Sequence, residues 1–338
     1  MIIVFQPLAS KQDIQHVVEK IEQLGFQAHI SKGVERTIIG VIGDERKISR
    51  EQFALLPKVE NVIPILKPYK LVSREFKKEN TVVNIEEVKV GGNEIIIMAG
   101  PCSVENEKQI ISTAEAVKKG GAKILRGGAY KPRTSPYSFQ GLGEDGLKLL
   151  RKAKEKTGLK IVTEVMESDD VDLVADYADL IQVGARNMQN TRLLRTLSKI
   201  KKPILLKRNF SATLLEFLMA AEYLLSGGND QVILCERGIR TFVEYTRNTF
   251  DLNIIPVIKQ LSHLPIIADP SHATGKSDLV MPMSRAAIAC GADGLIIEVH
   301  PRPEKAESDG DQSIRFDSFS QLVKDIKPIA TAVGRSVN

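Results

Sequence analysis

From residue 81 onward, short apolar runs alternate with longer amphipathic ones, and no other feature of the chain restricts its fold as much. Strand candidates stand at EIIIMAG, KILRGG, KIVTEV, LIQVG, PILLKR, VILCERG, PIIADPSH and GLIIEVH. Helical patterns lie between them, for example TLLEFLMAAEYLLSGG and MSRAAIACGA, and SFSQLVKDIKPIATAV closes the chain. TVVNIEEVKV, ahead of the first strand, reads as a capping hairpin. Eight strands with eight intervening or terminal helices in about 250 residues predict an α/β architecture, the (β/α)8 TIM barrel. A doubly wound open sheet is the competing arrangement, but no GxGxxG joins a first strand to a helix.

The first 66 residues follow a different rhythm. MIIVFQ is short and apolar, and DIQHVVEKIEQLG places Ile14, Val17, Val18, Ile21 and Leu24 at helical spacing before Gly25. QAHISKG and RTIIGVIGD follow as two strands, EQFALL as a short helix and VENVIPIL as a last strand. This βαββαβ order predicts a ferredoxin-like domain over residues 1–66. Its order alone leaves small-molecule sensing and plain oligomerisation both open. Residues 67–80, KPYKLVSREFKKEN, are charge-rich and aperiodic and read as a linker, leaving residues 81–338 for the barrel.

Composition excludes several classes of function. Three cysteines, Cys102, Cys235 and Cys290, cannot form a disulfide framework and point to a reducing, cytoplasmic compartment. The opening MIIVFQPLASKQ lacks the basic start and small-residue cleavage site of a secretory signal, and no apolar run approaches the ~18 residues of a membrane span. The first 66 residues hold eight basic and eight acidic side chains, so the whole formal charge of +5 lies beyond them. The basic residues are not interleaved with aromatics, which argues against nucleic acid and for small anionic substrates.

A barrel places its chemistry at the C-terminal ends of the strands and in the loops that follow. Those positions carry two chemical groups. Arg126, Lys131, Arg133, Arg186, Lys207 and Arg237 are cations drawn from four strand ends, and such a gathering implies an anionic partner of comparable charge. Cys102, His272, Glu298 and Asp309 combine a thiol, an imidazole and two carboxylates, a set suited to a divalent transition metal. Each member alone has a bland reading: Cys102 as a core thiol, His272 as a loop hydrogen-bonder, an arginine paired with Glu164 or Glu236. The four candidate ligands stand together because strands one, eight and seven are neighbours in a barrel. HATGKSD imitates the tail of a P-loop, but Pro270 stands where the pattern requires glycine. Cys235 reads as barrel filler and Cys290 as a core residue of an apolar helix.

AGPCSVE, LRGGAYKPRTSPYSFQG, VGAR, LLKR, ERG, DPSHATG and SDGDQS together resemble the 3-deoxy-D-arabino-heptulosonate 7-phosphate (DAHP) synthases, closest to their I-beta class, over residues 80–330. The first 66 residues resemble the ferredoxin-like regulatory extension that some members carry. The resemblance implies condensation of phosphoenolpyruvate with erythrose 4-phosphate, the first step of the shikimate pathway. Carried over by position, Arg126, Lys131, Ala185, Arg186, Lys207 and Arg237 would hold phosphoenolpyruvate, and Arg133 and Thr134 the sugar phosphate. Cys102, His272, Glu298 and Asp309 would bind one divalent ion such as Mn2+, Fe2+ or Zn2+, with Lys131, Glu164 and His272 as the catalytic side chains. The resemblance further implies feedback inhibition by Phe or Tyr and a homotetramer. The octulosonate 8-phosphate synthases share the barrel and one substrate, but they carry Asn where Pro132 stands here. A Schiff-base aldolase using Lys207 and a sensor without chemistry are the two competing readings of the same residues.

Overall fold

A computed structural model of the chain describes residues 1–338 except Val34, Glu35, Glu45, Arg46, Lys47, Leu66, Arg133, Thr134 and Pro136. Two compact units divide it, Met1–Lys70 and Leu71–Asn338.

The smaller unit contains β1 (Ile2–Phe5), α1 (Lys11–Gln23), β2 (Gln27–Lys32), β3 (Thr37–Ile42), α2 (Glu51–Ala54) and β4 (Val59–Ile63). Its strands form one antiparallel sheet in the order β2-β3-β1-β4, the ferredoxin-like pattern. Ser10 and Asp13 close a capping box at the start of α1, which fixes where that helix begins. Alternate strand residues Ile3, Phe5, Ile39 and Val41 point to the same side as Val17, Val18 and Ile21 of α1 and Phe53 of α2, and together they form the core of this unit.

In the larger unit, β5 (Val83–Ile85) and β6 (Val88–Val90) pair as a hairpin ahead of the barrel. The barrel strands are β7 (Ile96–Gly100), β8 (Ile124–Arg126), β9 (Lys160–Val165), β10 (Leu180–Val183), β11 (Ile204–Lys207), β12 (Val232–Glu236), β13 (Ile266–Ala268) and β14 (Gly294–Glu298). They are parallel and closed, with β14 hydrogen-bonded back to β7 so that Glu298 stands opposite Gly100. Between them run α3 (Glu107–Lys119), α4 (Glu144–Thr157), α5 (Val171–Tyr177), α6 (Thr191–Leu197), α7 (Leu214–Ser226), α8 (Ile254–Leu261), the short α9 (Pro270–Thr274) and α10 (Ser277–Ala289), with α11 (Phe316–Ala332) last. Val83, Ile85, Val88 and Val90 of the hairpin join Ile96, Met98, Val162, Leu205, Cys235 and Ile296 in one buried cluster, so the hairpin fills one end of the barrel. Cys235 is filler, as its sequence context suggests. Cys290 is not core: it is the C-cap of α10 and only half-buried.

The expected linker behaves in two parts. Leu71 and everything after it belong to the barrel unit. The backbone N–H groups of Leu71 and Val72 donate to Glu222, and His263 binds the Leu71 carbonyl at 2.7 Å and Thr81 Oγ1 at 2.8 Å. Polar anchors of this kind leave no hydrophobic period to read. No described helix is long and apolar enough to cross a membrane.

Candidate active site

The turn from β7 is set by Gly100, whose φ of +154° brings its Cα against the carbonyl of Arg126 where a side chain would collide. Pro101 follows, and Cys102 is thereby delivered beside the end of β14. The sequence DPSHATG is a helix written from cap to cap. Asp269 is the N-cap and accepts from the His272 N–H at 3.0 Å, Pro270 occupies the first turn, and Gly275 ends α9 in the left-handed conformation. His272 is therefore aimed by local capping before any long-range contact is made.

Cys102, Glu298 and Asp309 bring a sulfur and two carboxylate oxygens within 4.8 Å of one another. Cys102 Sγ lies 3.3 Å from Asp309 Oδ2, 2.9 Å from Ser308 Oγ and 3.0 Å from Lys131 Nζ. Burial, followed by the charges of Glu298 and Asp309, pushes the thiol up to about 12. His272 joins at the edge, with Nε2 3.5 Å from Glu298 Oε1 and Nδ1 2.8 Å from Asp269 Oδ2. Its desolvation lowers its pKa and favours the neutral imidazole, the form that ligates metal. Burial would raise the carboxyl of Asp309, but His272 and Arg247 outweigh it and hold it down at about 2. A buried thiol crowded by two ionised carboxylates is an arrangement that a divalent cation relieves, and the donor set fits such an ion.

Beside this cluster lies a cavity of about 320 Å3 that shares His272 and Asp309 with it. Lys131, Glu164, Ala185, Arg186, Lys207, Arg237 and Arg247 also line it. Lys207 Nζ pairs with buried Asp269 at 2.5 Å, a commitment that leaves it poorly placed as the free amine of a Schiff-base aldolase. Arg186 makes no ion pair among the described residues, and Arg237 donates only to the Gly238 carbonyl, at 3.4 Å. Desolvation and the nearby Arg247 depress Arg237, and both guanidinium groups line the cavity, Arg247 with its Nη1 3.3 Å from Asp309 Oδ1. Glu164 is held by Gln182, whose Nε2 donates at 2.9 Å, and Gly184 leaves room for that carboxylate where a Cβ would strike it.

Arg126 sits elsewhere than among the free cations. It is buried beneath the cavity, with Nη1 2.8 Å from Glu298 Oε1 and Nη2 donating to the Cys102 carbonyl at 3.2 Å. Arg133 and Thr134 lie outside the described residues. Of the two late aspartates, Asp309 joins the cluster and Asp311 is exposed. Sequence reasoning missed Gln182, Arg247 and Gln312; Gln312 falls inside SDGDQS, whereas Arg247 sits in TRNTF with no local signal.

Residues 76–332 match the DAHP synthetase I family, and residues 1–67 match the DAHP synthase ferredoxin-like domain. The phospho-2-dehydro-3-deoxyheptonate aldolase of Thermotoga maritima is 55% identical over 338 residues, the full length of both chains. The crystal structure of the Thermotoga maritima enzyme superposes with a TM-score of 0.97 at 54% identity, covering 100% of this chain and 99% of that one. A truncated form of 3-deoxy-D-arabino-heptulosonate 7-phosphate synthase from the same organism covers 80% of this chain and 99% of its own, at 52% identity and a TM-score of 0.75. The 2-dehydro-3-deoxyphosphooctonate aldolase of Geobacter sulfurreducens is 30% identical over 270 residues, 74% of this chain and 98% of that protein. This chain belongs to the DAHP synthetase I family.

Proposed function

We propose that this member of the DAHP synthetase I family condenses phosphoenolpyruvate with D-erythrose 4-phosphate and water, giving DAHP and inorganic phosphate. The observation that carries the reading is that Asp309 belongs both to a cation-lined cavity and to a thiol–carboxylate cluster, with His272 of the cavity wall 3.5 Å from Glu298 of that cluster. Anion binding and metal-type chemistry thus meet at one point of the rim.

Arg186, Lys207 and Arg237, with the backbone at Ala185, hold the phosphate and carboxylate of phosphoenolpyruvate, and Arg126 supports them from below through Glu298. Arg133 and Thr134 take the phosphate of the sugar. Held face to face, the two substrates react as one complex instead of by encounter in solution. C3 of phosphoenolpyruvate bonds to the aldehyde carbon, and Lys131, next to Cys102, gives a proton to the aldehyde oxygen. The cationic character left at C2 is met by water, whose proton passes to Glu164 on the cavity wall. Cleavage of the C2–O bond then releases phosphate, which takes the remaining proton of the new C2 hydroxyl as the ketone forms. Cys102, His272, Glu298 and Asp309 would hold one divalent ion, Mn2+, Fe2+ or Zn2+, which supplies Lewis-acid polarisation of the aldehyde when bound.

The activity belongs to the shikimate pathway and to the cytoplasm. The ferredoxin-like domain takes Phe or Tyr as a feedback inhibitor, and the working form is a homotetramer; the match of residues 1–67 to the family's ferredoxin-like domain supports the regulatory part.

Phosphate release from phosphoenolpyruvate tests the reading directly. It requires erythrose 4-phosphate, stops with EDTA and resumes with Mn2+. Full turnover by metal-stripped protein would overturn the metal dependence. Preference for a five-carbon aldose phosphate, which yields an eight-carbon product, would move the chain to the octonate-forming relatives.

A further inference from the structure

Glu298 and Asp309 each present two oxygens, and the two are used differently. Glu298 Oε1 faces Arg126 at 2.8 Å and His272 at 3.5 Å, whereas Oε2 accepts from Gln312 Nε2 at 2.7 Å. Asp309 Oδ2 faces Cys102 Sγ at 3.3 Å, whereas Oδ1 lies 3.3 Å from Arg247 Nη1. The same Nη1 donates to Gln312 Oε1 at 2.8 Å. Gln312 therefore spends both ends of its amide, donating to a carboxylate and accepting from a guanidinium, and only one amide orientation satisfies both neighbours. The result is a continuous chain, Glu298–Gln312–Arg247–Asp309, running behind the cluster.

The anchoring of Arg247 ties this chain to the third candidate ligand. Its N–H donates to the Thr274 carbonyl at 2.9 Å, Asn248 N–H donates to the Ala273 carbonyl at 2.9 Å, and Asn248 Nδ2 donates to the His272 carbonyl at 2.9 Å. The loop after β12 is thus stitched along α9, which carries His272. As a fold-stabilising ion pair, Arg247–Asp309 has little to offer. The arginine side chain is 39% exposed, and pairs with that access to water add little to stability. Orientation is what the arrangement supplies.

We propose that Arg247 and Gln312 are positioning residues for a divalent metal. They occupy the outer oxygens of both carboxylates and so turn Glu298 Oε1 and Asp309 Oδ2 toward Cys102 and His272. The proposal rests on reading the cluster as a metal site, and its test separates the two. Full-length protein is stripped with EDTA and titrated with Co2+ against a chromophoric chelator, while the Co2+–thiolate absorption of Cys102 is recorded. Arg247→Ala and Gln312→Met each weaken Co2+ binding by ~10–100-fold, the usual effect of losing a partner of a metal-ligating side chain. Arg247→Lys recovers part of the loss. The double variant loses less than the sum of the single losses, because both changes break one chain. Activity lost at limiting metal returns as metal is raised, with the KM for phosphoenolpyruvate little changed. Unchanged Co2+ affinity combined with a raised KM would make Arg247 a substrate contact and end the proposal. Should Gln312→Met fail to fold, Arg247→Ala decides alone, since its side chain is partly in solvent. Wild-type protein that gives no thiolate band with Co2+ would instead remove the metal reading itself.

Discussion

Asp269 is the residue whose charge the barrel rim can least spare, and Asp269→Asn isolates that charge. Asparagine caps a helix about as well as aspartate and matches its volume, so the hydrogen bond from the His272 N–H and the start of α9 are retained. What disappears is the negative charge 2.5 Å from Lys207 Nζ, in a pair whose side chains are 4% and 0% exposed. Burial alone would raise the Asp269 carboxyl, yet His272 and Lys207 hold it well below the usual carboxylate range, so the charge is present in the native protein at neutral pH. Removing one partner of a buried ion pair costs ~3–5 kcal/mol, because the other is left uncompensated. Lys207 borders the cavity, so water reaches it and the lower end, ~3 kcal/mol, applies. At ~2–4 °C per kcal/mol for a barrel-sized domain, the melting temperature should fall by ~6–12 °C. The measurement is a thermal melt followed by circular dichroism, with EDTA present so that metal binding makes no contribution. Adding Lys207→Met removes the orphaned cation and should restore most of the loss, since apolar replacement of a buried pair is often near neutral. A single variant melting within about 2 °C of wild type, or a double variant no better than the single, would refute the reasoning.

Cys102→Ala should abolish tight Mn2+ or Co2+ binding while leaving the melting temperature of chelator-treated protein within ~2 °C, because the change removes a single sulfur atom, whose polar partners are Ser308, Lys131 and Asp309; undiminished metal content after dialysis removes it from the ligand set. His263 predicts an acid limit to stability. Burial lowers its pKa below 6.5, so the folded protein keeps it neutral while the unfolded chain takes up a proton. Its contribution is complete above about pH 6.5 and drains away as pH falls from there toward the lowered native value. His263→Gln should therefore lose less stability than wild type between pH 7 and about 5, and parallel pH profiles would exclude the assignment. A chain beginning at Leu71, the first residue of the barrel unit, should make product and ignore Phe and Tyr, and equal sensitivity of the two forms would place the effector site in the barrel.

How far the sequence could be read follows from how each feature is encoded. Parallel strands covered by helices are apolar on both faces, so EIIIMAG or GLIIEVH stand out as unbroken runs, and their alternation with helices identifies a barrel without any motif. DPSHATG declares its own geometry, because cap, first-turn proline and terminal glycine act over a few residues. The linker is harder: Leu71–Thr81 is held to the barrel by backbone and polar anchors to Glu222 and His263, more than a hundred residues away, and nothing periodic records them.

The site shows the same division. Closure of a barrel makes its first and last strands neighbours, and Glu298 opposite Gly100 puts Cys102 beside Glu298 although 196 positions separate them. Anyone who accepts closure can derive that encounter, which is why the thiol, the imidazole and the carboxylates are legible. Closure says nothing about depth. Arg126 ends β8 and Arg237 directly follows β12, yet one is consumed by Glu298 and the other is left facing the cavity. Nor does closure choose Asp309 over Asp311, because a backbone turn in the loop after β14, with Asp309 at φ +52°, decides which carboxylate faces inward. Arg247 and Gln312 are the extreme case. They come from loops after β12 and β14, strands that are not neighbours, and they meet only because the segment after β12 lies along α9. Strand order therefore predicts the residues that touch the chemistry, and loop-on-loop contact, invisible to strand order, determines the residues that hold those in place.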